Sequence, residues 1–381
     1  MRRILLLITD LEIGGTPTVV RELATRLGAR GCEVHVEVAC LRPWGPVADQ
    51  LRDAGVTVSA LHARSVLDLP RVVRRLLRLV RERRIDTIFS FLVHANAVAG
   101  IASWFLRGVR FIQSIQTTQP RPRWHWRVQR FAQHYAERVV VPSPSAARVA
   151  QERAGVPPEK ITSIPNAIDP AQFRGTDFKP APSTGHGLRT RDTFRIGFIG
   201  RLDPVKRIPD LLAAVASLVD HYRLHVYGEG SQRPHLESLI DALGITDRVT
   251  LHGAVARPQA ALEDIDALVL PSEAEGFGLV LIEAMASAVP VVATDVPGIC
   301  DVVRDGQTGL LVPVASPGAL ADAIRRLAED ESLRRVLVAN ALADVRERFT
   351  WDVVLPRYAA LLCPEVSHAG ACATNQVENV T

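Results

Sequence analysis

Two cations five residues apart, Arg201 and Lys206, and two carboxylates eight residues apart, Glu275 and Glu283, have types and spacings suited to an elongated, anionic, hydroxyl-rich ligand. The stretch 275–283 reads EGFGLVLIE and follows the apolar run 267–270 and Pro271-Ser272, a pattern of strand, tight loop and helix start. The first turn of a helix leaves four backbone N–H groups without intrahelical partners and carries the positive end of the helix dipole. Gly276 and Gly278 let a ligand come close to that backbone, so a phosphate or a sugar hydroxyl fits there. Glu275 falls in the loop and Glu283 about two turns into the helix, so the pair would touch different parts of one ligand rather than act as a dyad.

An isolated glutamate pair at this spacing is also what a solvated helix face contains. The second junction adds weight. Gly200-Arg201-Leu202-Asp203-Pro204-Val205-Lys206 follows the apolar strand 194–199. In a Rossmann-like unit both loops would leave the carboxyl edge of a parallel sheet and face one crevice, where arginine and lysine can grip a diphosphate.

Together GRLDPVK, PSEAEGFGLVLIEAMASAVPVVATDVPG and RDGQTGLLVP resemble the retaining glycosyltransferases of family 4, most strongly over residues 194–315 and more weakly over the N-terminal half. The resemblance implies an α/β protein of GT-B fold: two Rossmann-like, doubly wound parallel-sheet domains facing a central cleft. It also implies roles for single residues. Arg201 and Lys206 would hold the donor diphosphate and stabilise the leaving nucleotide, Glu275 the hydroxyls of the transferred sugar, and Glu283 the ribose. The N–H groups of Phe277, Gly278 and Leu279 would touch sugar and phosphate, with Gly200 and Gly228 at the loops around the nucleotide. Gly14-Gly15 would let the first helix approach the diphosphate. The donor is then a nucleotide-diphosphate sugar, with no cofactor and no metal, because the two cations take the charge-stabilising role.

The elements that must position these groups read as alternating strands and helices, hence a parallel sheet covered on both faces. The first junction, 10–15, lacks the G-x-G-x-x-G spacing, so a nicotinamide cofactor is not favoured. His94 and Asn96 follow the strand 87–92, where acceptor or catalytic groups of α/β enzymes gather. Members of the family carry a histidine where this chain has Gln116, and glutamine can donate a hydrogen bond but carries no proton or charge. The loop 121–127, RPRWHWR, offers Arg123, Trp124 and Trp126 for an acceptor site or an interface, or alternatively a capped helix start that buries its tryptophans. The expected division is an acceptor domain over 1–168 plus a crossing helix 350–363, a linker over 169–192, a donor domain over 193–349, and a disordered tail over 364–381.

The chain of 381 residues, 47% of them apolar, can fill two cores. Five cysteines without a C-x-x-C pair argue against a disulfide framework or a zinc site and for a reducing cytoplasm. No run is long and apolar enough for a membrane span or signal peptide. Residues 1–170 hold 25 Lys and Arg against 14 Asp and Glu, while the whole chain holds 45 against 41. The basic half suits a glycan or lipid-linked acceptor or an anionic membrane surface at the cytoplasmic face; nucleic acid is not expected of a glycosyltransferase. Residues 69–84, rich in arginine at helical spacing, read either as an ordinary covering helix or as a membrane-docking one. A sugar-nucleotide-binding protein with impaired transfer stands as the alternative to an enzyme, on account of Gln116.

Overall fold

The computed structural model describes residues 2–29, 34–173, 193–255 and 258–363. Most of the expected linker, from 174 on, and the expected tail lie outside the described residues. The chain divides into two compact units. One comprises Met1–Gln116, Arg121–Pro165 and the chain from Asp352; the other comprises Asn166–Trp351 with Thr117–Pro120.

In chain order the first unit runs β1 (Arg2–Ile8), α1 (Gly15–Ala29), β2 (Val34–Cys40), α2 (Pro46–Asp53), β3 (Thr57–Ala60), α3 (Leu69–Glu82), β4 (Thr87–Phe91), α4 (Val93–Ala102), β5 (Arg110–Ser114), α5 (Arg123–Tyr135), β6 (Arg138–Val141), α6 (Pro144–Ala154) and β7 (Ile161–Ser163). Its seven strands pair in parallel in the order β3-β2-β1-β4-β5-β6-β7. The order reverses between β1 and β4, and the crevice outside such a switch point is where open α/β sheets bind ligands. β1 is apolar without alternation because helices cover both faces, and Leu5 to Ile8 are wholly buried.

The second unit runs β8 (Phe194–Ile199), α7 (Ile208–Ser217), β9 (Tyr222–Tyr227), α8 (Arg233–Ala242), β10 (Val249–Gly253), α9 (Pro258–Glu263), β11 (Ala267–Leu270), α10 (Leu279–Ala286), β12 (Val291–Thr294), β13 (Leu310–Val312), α11 (Pro317–Glu329) and α12 (Glu331–Arg348). Its order is β10-β9-β8-β11-β12-β13, again all parallel, with the switch point between β8 and β11. Gly197 sits inside β8 because any Cβ there would lie 2.3 Å from Ile265, just before β11. The chain then returns to the first unit as α13 (Trp351–Leu362). Tyr358 of α13 is fully buried with its ring 6.2 Å from that of Phe89 in β4, and Arg110 of β5 donates to the carbonyls of Leu361 and Leu362.

Two expectations for the acceptor side are corrected here. The stretch 123–127 is the first turn and more of α5, and it sends its tryptophans opposite ways. Trp126 is buried in a cluster with Val139, Val141 and Val149, whereas Trp124 is exposed. The same face of α5 buries Gln129 and Gln133, one and two turns on from Trp126, so Trp126 is a core residue and not an acceptor group. Asn96 is also internal. Its Nδ2 donates to Ser114 O and to Gln129 Oε1, both at 2.9 Å, and so ties α4, β5 and α5 together. Its amide hydrogens are thus spent inside the fold, while its buried Oδ1 has no hydrogen-bond partner among the described residues.

Trp126→Ala is therefore expected to cost about 3–5 kcal/mol of stability. Trp124→Ala is expected to stay within about 0.5 kcal/mol of the parent. Urea denaturation of the two variants checks the contrast, and equal losses would mean that both rings are buried.

Candidate active site

The loops after β8 and β11, which flank the switch point of the second sheet, are joined backbone to backbone. Glu273 N–H donates to Val205 O at 2.8 Å. On the first loop, Arg201 is largely exposed and pairs with Asp203 at 3.1 Å. Lys206 closes the 3-10 turn Pro204–Lys206 and is held by Glu275, both side chains being mostly buried. Ser272, fully buried, donates its hydroxyl to Glu275 Oε1 at 3.1 Å, and its carbonyl is held in turn by the Thr294 hydroxyl. Lys206 and Glu275 thus meet at one point, each fixed by its own loop. Arg207, next in the chain, takes a left-handed conformation (φ 49°) rare for a side chain of this size and pairs with Asp210 in α7.

The glycines here answer to close approach. Gly200 N–H donates to Tyr227 O, and Leu202 N–H to Glu229 O, each at 2.9 Å, so the loops after β8 and β9 lie directly on one another. A Cβ on Gly228 would overlap the Gly200 carbonyl, and one on Gly230 would lie 2.5 Å from the Leu202 carbonyl. Gly228, expected beside the ligand, is thus demanded first by its neighbouring loop. Gly298 plays the same part for the other loop, since its Cβ would lie 2.3 Å from the Glu275 carbonyl. Gly230, Gly298, Ser272 and Asp203 were not among the expected site residues. Asp203, Ser272 and Gly298 stand within the motifs that carry the family resemblance, which was the available signal.

Gly278 caps α10 in a left-handed conformation (φ 78°), and the helix opens at Leu279. Glu283 is consequently in its second turn, rather nearer to the loop than expected. Among the described residues, the N–H groups of Phe277, Gly278 and Leu279 have no backbone acceptor. Phe277 anchors this N–H-rich turn, its buried ring packing edge-on against Phe349 at 5.5 Å. The Glu283 side chain is half-buried, and burial pushes its carboxyl up to about 7.

In the first unit, the expected groups gather at the switch point between β1 and β4. Gly14 and Gly15 precede and open α1. His94 lies in the first turn of α4, after Leu92, which has the unusual φ of 70° for a bulky residue. The His94 ring packs against Trp124 (5.6 Å) and is 6.4 Å from His125, which itself packs on Trp124 at 4.1 Å. Partial desolvation, with the Arg42 charge second and Asp10 opposing, holds His94 below the ordinary histidine range, and desolvation does the same for His125. Burial thus favours the neutral form of both rings. Gln116 donates to the Ser114 hydroxyl at 2.7 Å, and Arg123 is exposed at the start of α5. His125, Arg42 and Asp10 join this cluster without having been singled out. Among the described residues, no three His, Cys, Asp or Glu side chains come together to hold a metal ion, and no helix is long and apolar enough to cross a membrane.

Residues 13–172 match the family described as Glycosyltransferase Family 4, and residues 187–344 match Glycosyl transferases group 1. A D-inositol 3-phosphate glycosyltransferase of Acidothermus cellulolyticus is 30% identical over 383 residues, covering 90% of this chain and 83% of that one. Its counterpart in Thermomonospora curvata is 28% identical over 387 residues, covering 91% and 89%. Among solved structures, Anabaena HepE in complex with UDP and glucose superposes with a TM-score of 0.84 at 23% identity, over 96% of this chain and 100% of that one. Two parallel-sheet units with loops of this kind at their switch points define a GT-B fold. The chain belongs to glycosyltransferase family 4.

Glu283 makes stability depend on pH. Its carboxyl holds a proton more tightly in the fold, near 7 against an ordinary 4.5, so its effect is most favourable below 4.5 and declines as pH rises to about 7. Glu283→Gln, which stays neutral, is expected to be more stable than the parent at pH 8 by roughly 1–3 kcal/mol and close to it at pH 4.5. Denaturant titrations at the two pH values read this, and a constant difference across pH would show that Glu283 is not the titrating group.

Proposed function

We propose that the protein transfers a hexose from a nucleotide-diphosphate sugar to a hydroxyl of a glycan, lipid-linked or small-molecule acceptor, with retention at the anomeric carbon and without a metal ion. The observation that carries this reading is the junction of the loops after β8 and β11, where Lys206 meets Glu275 at the sheet's switch point, with Arg201 on the first loop and a row of N–H groups without backbone acceptors on the second. Arg201 and Lys206 offset the negative charge that grows on the diphosphate as the bond from the anomeric carbon to the phosphate oxygen breaks. Glu275 orients the sugar through its hydroxyls. The acceptor oxygen attacks from the face that the diphosphate leaves, and its proton passes to the departing phosphate oxygen. That step needs no protein base, so Gln116 is compatible with turnover.

Glu283 takes the ribose hydroxyls, whose hydrogen bonds favour the carboxylate form. The Anabaena relative's complexes contain UDP, UDP-glucose and glucose, which makes UDP-sugars the first donors to test. The acceptor belongs with the first unit's His94, Trp124 and His125, beside Gln116 and Arg123. A cytoplasmic location follows from the donor, which is a cytoplasmic metabolite.

Calorimetry of the chain with UDP, GDP and ADP and their sugar conjugates, with EDTA present, tests the donor. One nucleotide is expected to bind selectively, and Arg201→Ala and Lys206→Ala are each expected to weaken it about tenfold or more. Product NMR then reads the anomeric configuration. Binding without turnover on any acceptor would favour the nucleotide-sugar-binding alternative, and no binding would refute the donor site.

Because the bound ribose selects the Glu283 carboxylate, nucleotide binding should release a proton below about pH 7, and affinity should fall by up to about tenfold per pH unit there. Calorimetry in buffers of different ionisation heat detects the released proton. A pH-independent affinity between 5.5 and 8 would remove Glu283 from the ribose site.

A further inference from the structure

One band of the first unit's surface combines large apolar side chains with guanidinium groups and serves neither site described above. After α4 comes the 3-10 turn Ser103–Phe105, in which Trp104 is 60% and Phe105 55% exposed. The Trp104 ring stands edge-on to Phe131 at 6.2 Å and to Tyr135 at 5.9 Å, and those two rings are 5.3 Å apart. The rings hold one another in a fixed ridge, so Trp104 is presented outward rather than merely left uncovered. Arg81 of α3 donates to Phe105 O, which puts the C-terminal end of that helix at the ridge.

At the other end of α3 is a second apolar tip. Val66 and Leu67, in the turn Val66–Asp68, are 84% and 87% exposed. Between the tips α3 exposes Arg71, Arg74, Arg78 and Arg81, which fall within an arc of about 80° at 100° per residue and along about 15 Å of axis. The helix's own apolar stripe, Val72, Val73, Leu76 and Val80, is buried in the core on the opposite side, so it cannot be offered to a bilayer. Of the acids near the row, Asp68 is occupied by the Arg64 and Ser65 N–H groups and by Arg71, and Glu82 is exposed at the end of α3.

We propose that this band docks the first unit on an anionic bilayer surface, with the arginine row on lipid phosphates and the two apolar tips, Val66-Leu67 and Trp104-Phe105, entering the headgroup region. Charge identifies the partner: the row is cationic along its length, and the first 170 residues carry 25 basic against 14 acidic side chains. A protein partner would be expected to cover a continuous apolar face, whereas here cations separate two apolar tips. Trp at a ridge end is also the side chain that settles at the boundary between headgroups and acyl chains. This inference is independent of the proposed transfer, since a sugar acceptor in water would leave the band intact.

Co-sedimentation of the full chain with vesicles of phosphatidylcholine alone, and of phosphatidylcholine with one third phosphatidylglycerol, tests it. Binding is expected only to the anionic vesicles and should be lost at about 1 M salt. Arg74→Glu with Arg78→Glu, and separately Trp104→Ser with Phe105→Ser, should each lower partitioning at least about fivefold. Trp44→Ser, an exposed tryptophan stacked on Arg52, should leave it unchanged. Circular dichroism confirms that each variant is folded. Equal binding to both vesicle types, binding to neither, or folded band variants that bind like the parent would overturn the proposal. Lipid-free self-association that disappears in the Trp104/Phe105 variant would overturn it too, by assigning the band to a second copy of the chain.

Discussion

The hydrogen bond from Glu273 N–H to Val205 O fixes how far apart the two ligand loops of the second unit can lie. It joins segments that follow β8 and β11, neighbours in the sheet because the strand order reverses there. Around it, three glycines let backbones meet at distances no side chain would allow: Gly228 and Gly230 under the loop after β8, and Gly298 under Glu275. Lys206 and Glu275 are brought together by this backbone arrangement, and their ion pair is a result of it rather than its cause. A mostly buried pair of this kind contributes little net stability, since losing water costs about what the attraction returns. Its effect is to hold a cation and a carboxylate side by side at the switch point.

The first unit solves its positioning problem with amides. Asn96, Gln113 and Gln129 are buried together, and Gln129 accepts from both of the others. They lock α4 and α5 onto β5 just beneath the loop that carries Gln116. His94 on α4 and Trp124 and His125 on α5 then stand in fixed relation above that lock. The two units thus share a topology and differ in what secures these loops, close-packed backbone in one and a buried amide cluster joined through Gln129 Oε1 in the other.

Much of the architecture was legible in the sequence because parallel strands covered on both faces are near-continuous apolar runs, as in β1 from Ile4 to Ile8 and in β11. The junctions were legible because a strand ending in glycine, with charge before the next helix, has few other uses. What was not legible depended on which way a side chain faces. Trp124 and Trp126 differ by two positions on a helix, about 200° of rotation, and composition alone does not say which one meets the core. Asn96 was misplaced for a related reason. Polar residues default to the surface, and only the partners Ser114 and Gln129, distant in sequence, make its burial tolerable. The arginine-rich segment 69–84 was read correctly as a helix, but its exposed apolar neighbours at 66–67 and 104–105 belong to turns that periodicity does not flag.

The return of the chain to the first unit as α13 has a consequence for how the protein is made. Tyr358 and its helix, which pack against Phe89 and receive the Arg110 side chain, are synthesised after every strand of both sheets. The second unit is continuous apart from Thr117–Pro120 and can close as it leaves the ribosome. The first unit, although begun earlier, waits some two hundred residues for the helix that covers it. During that interval the apolar surface around Phe89 lacks the helix that covers it, so the first unit can be completed only after the second has been synthesised. Truncation just before Trp351 would therefore harm the unit that was translated first.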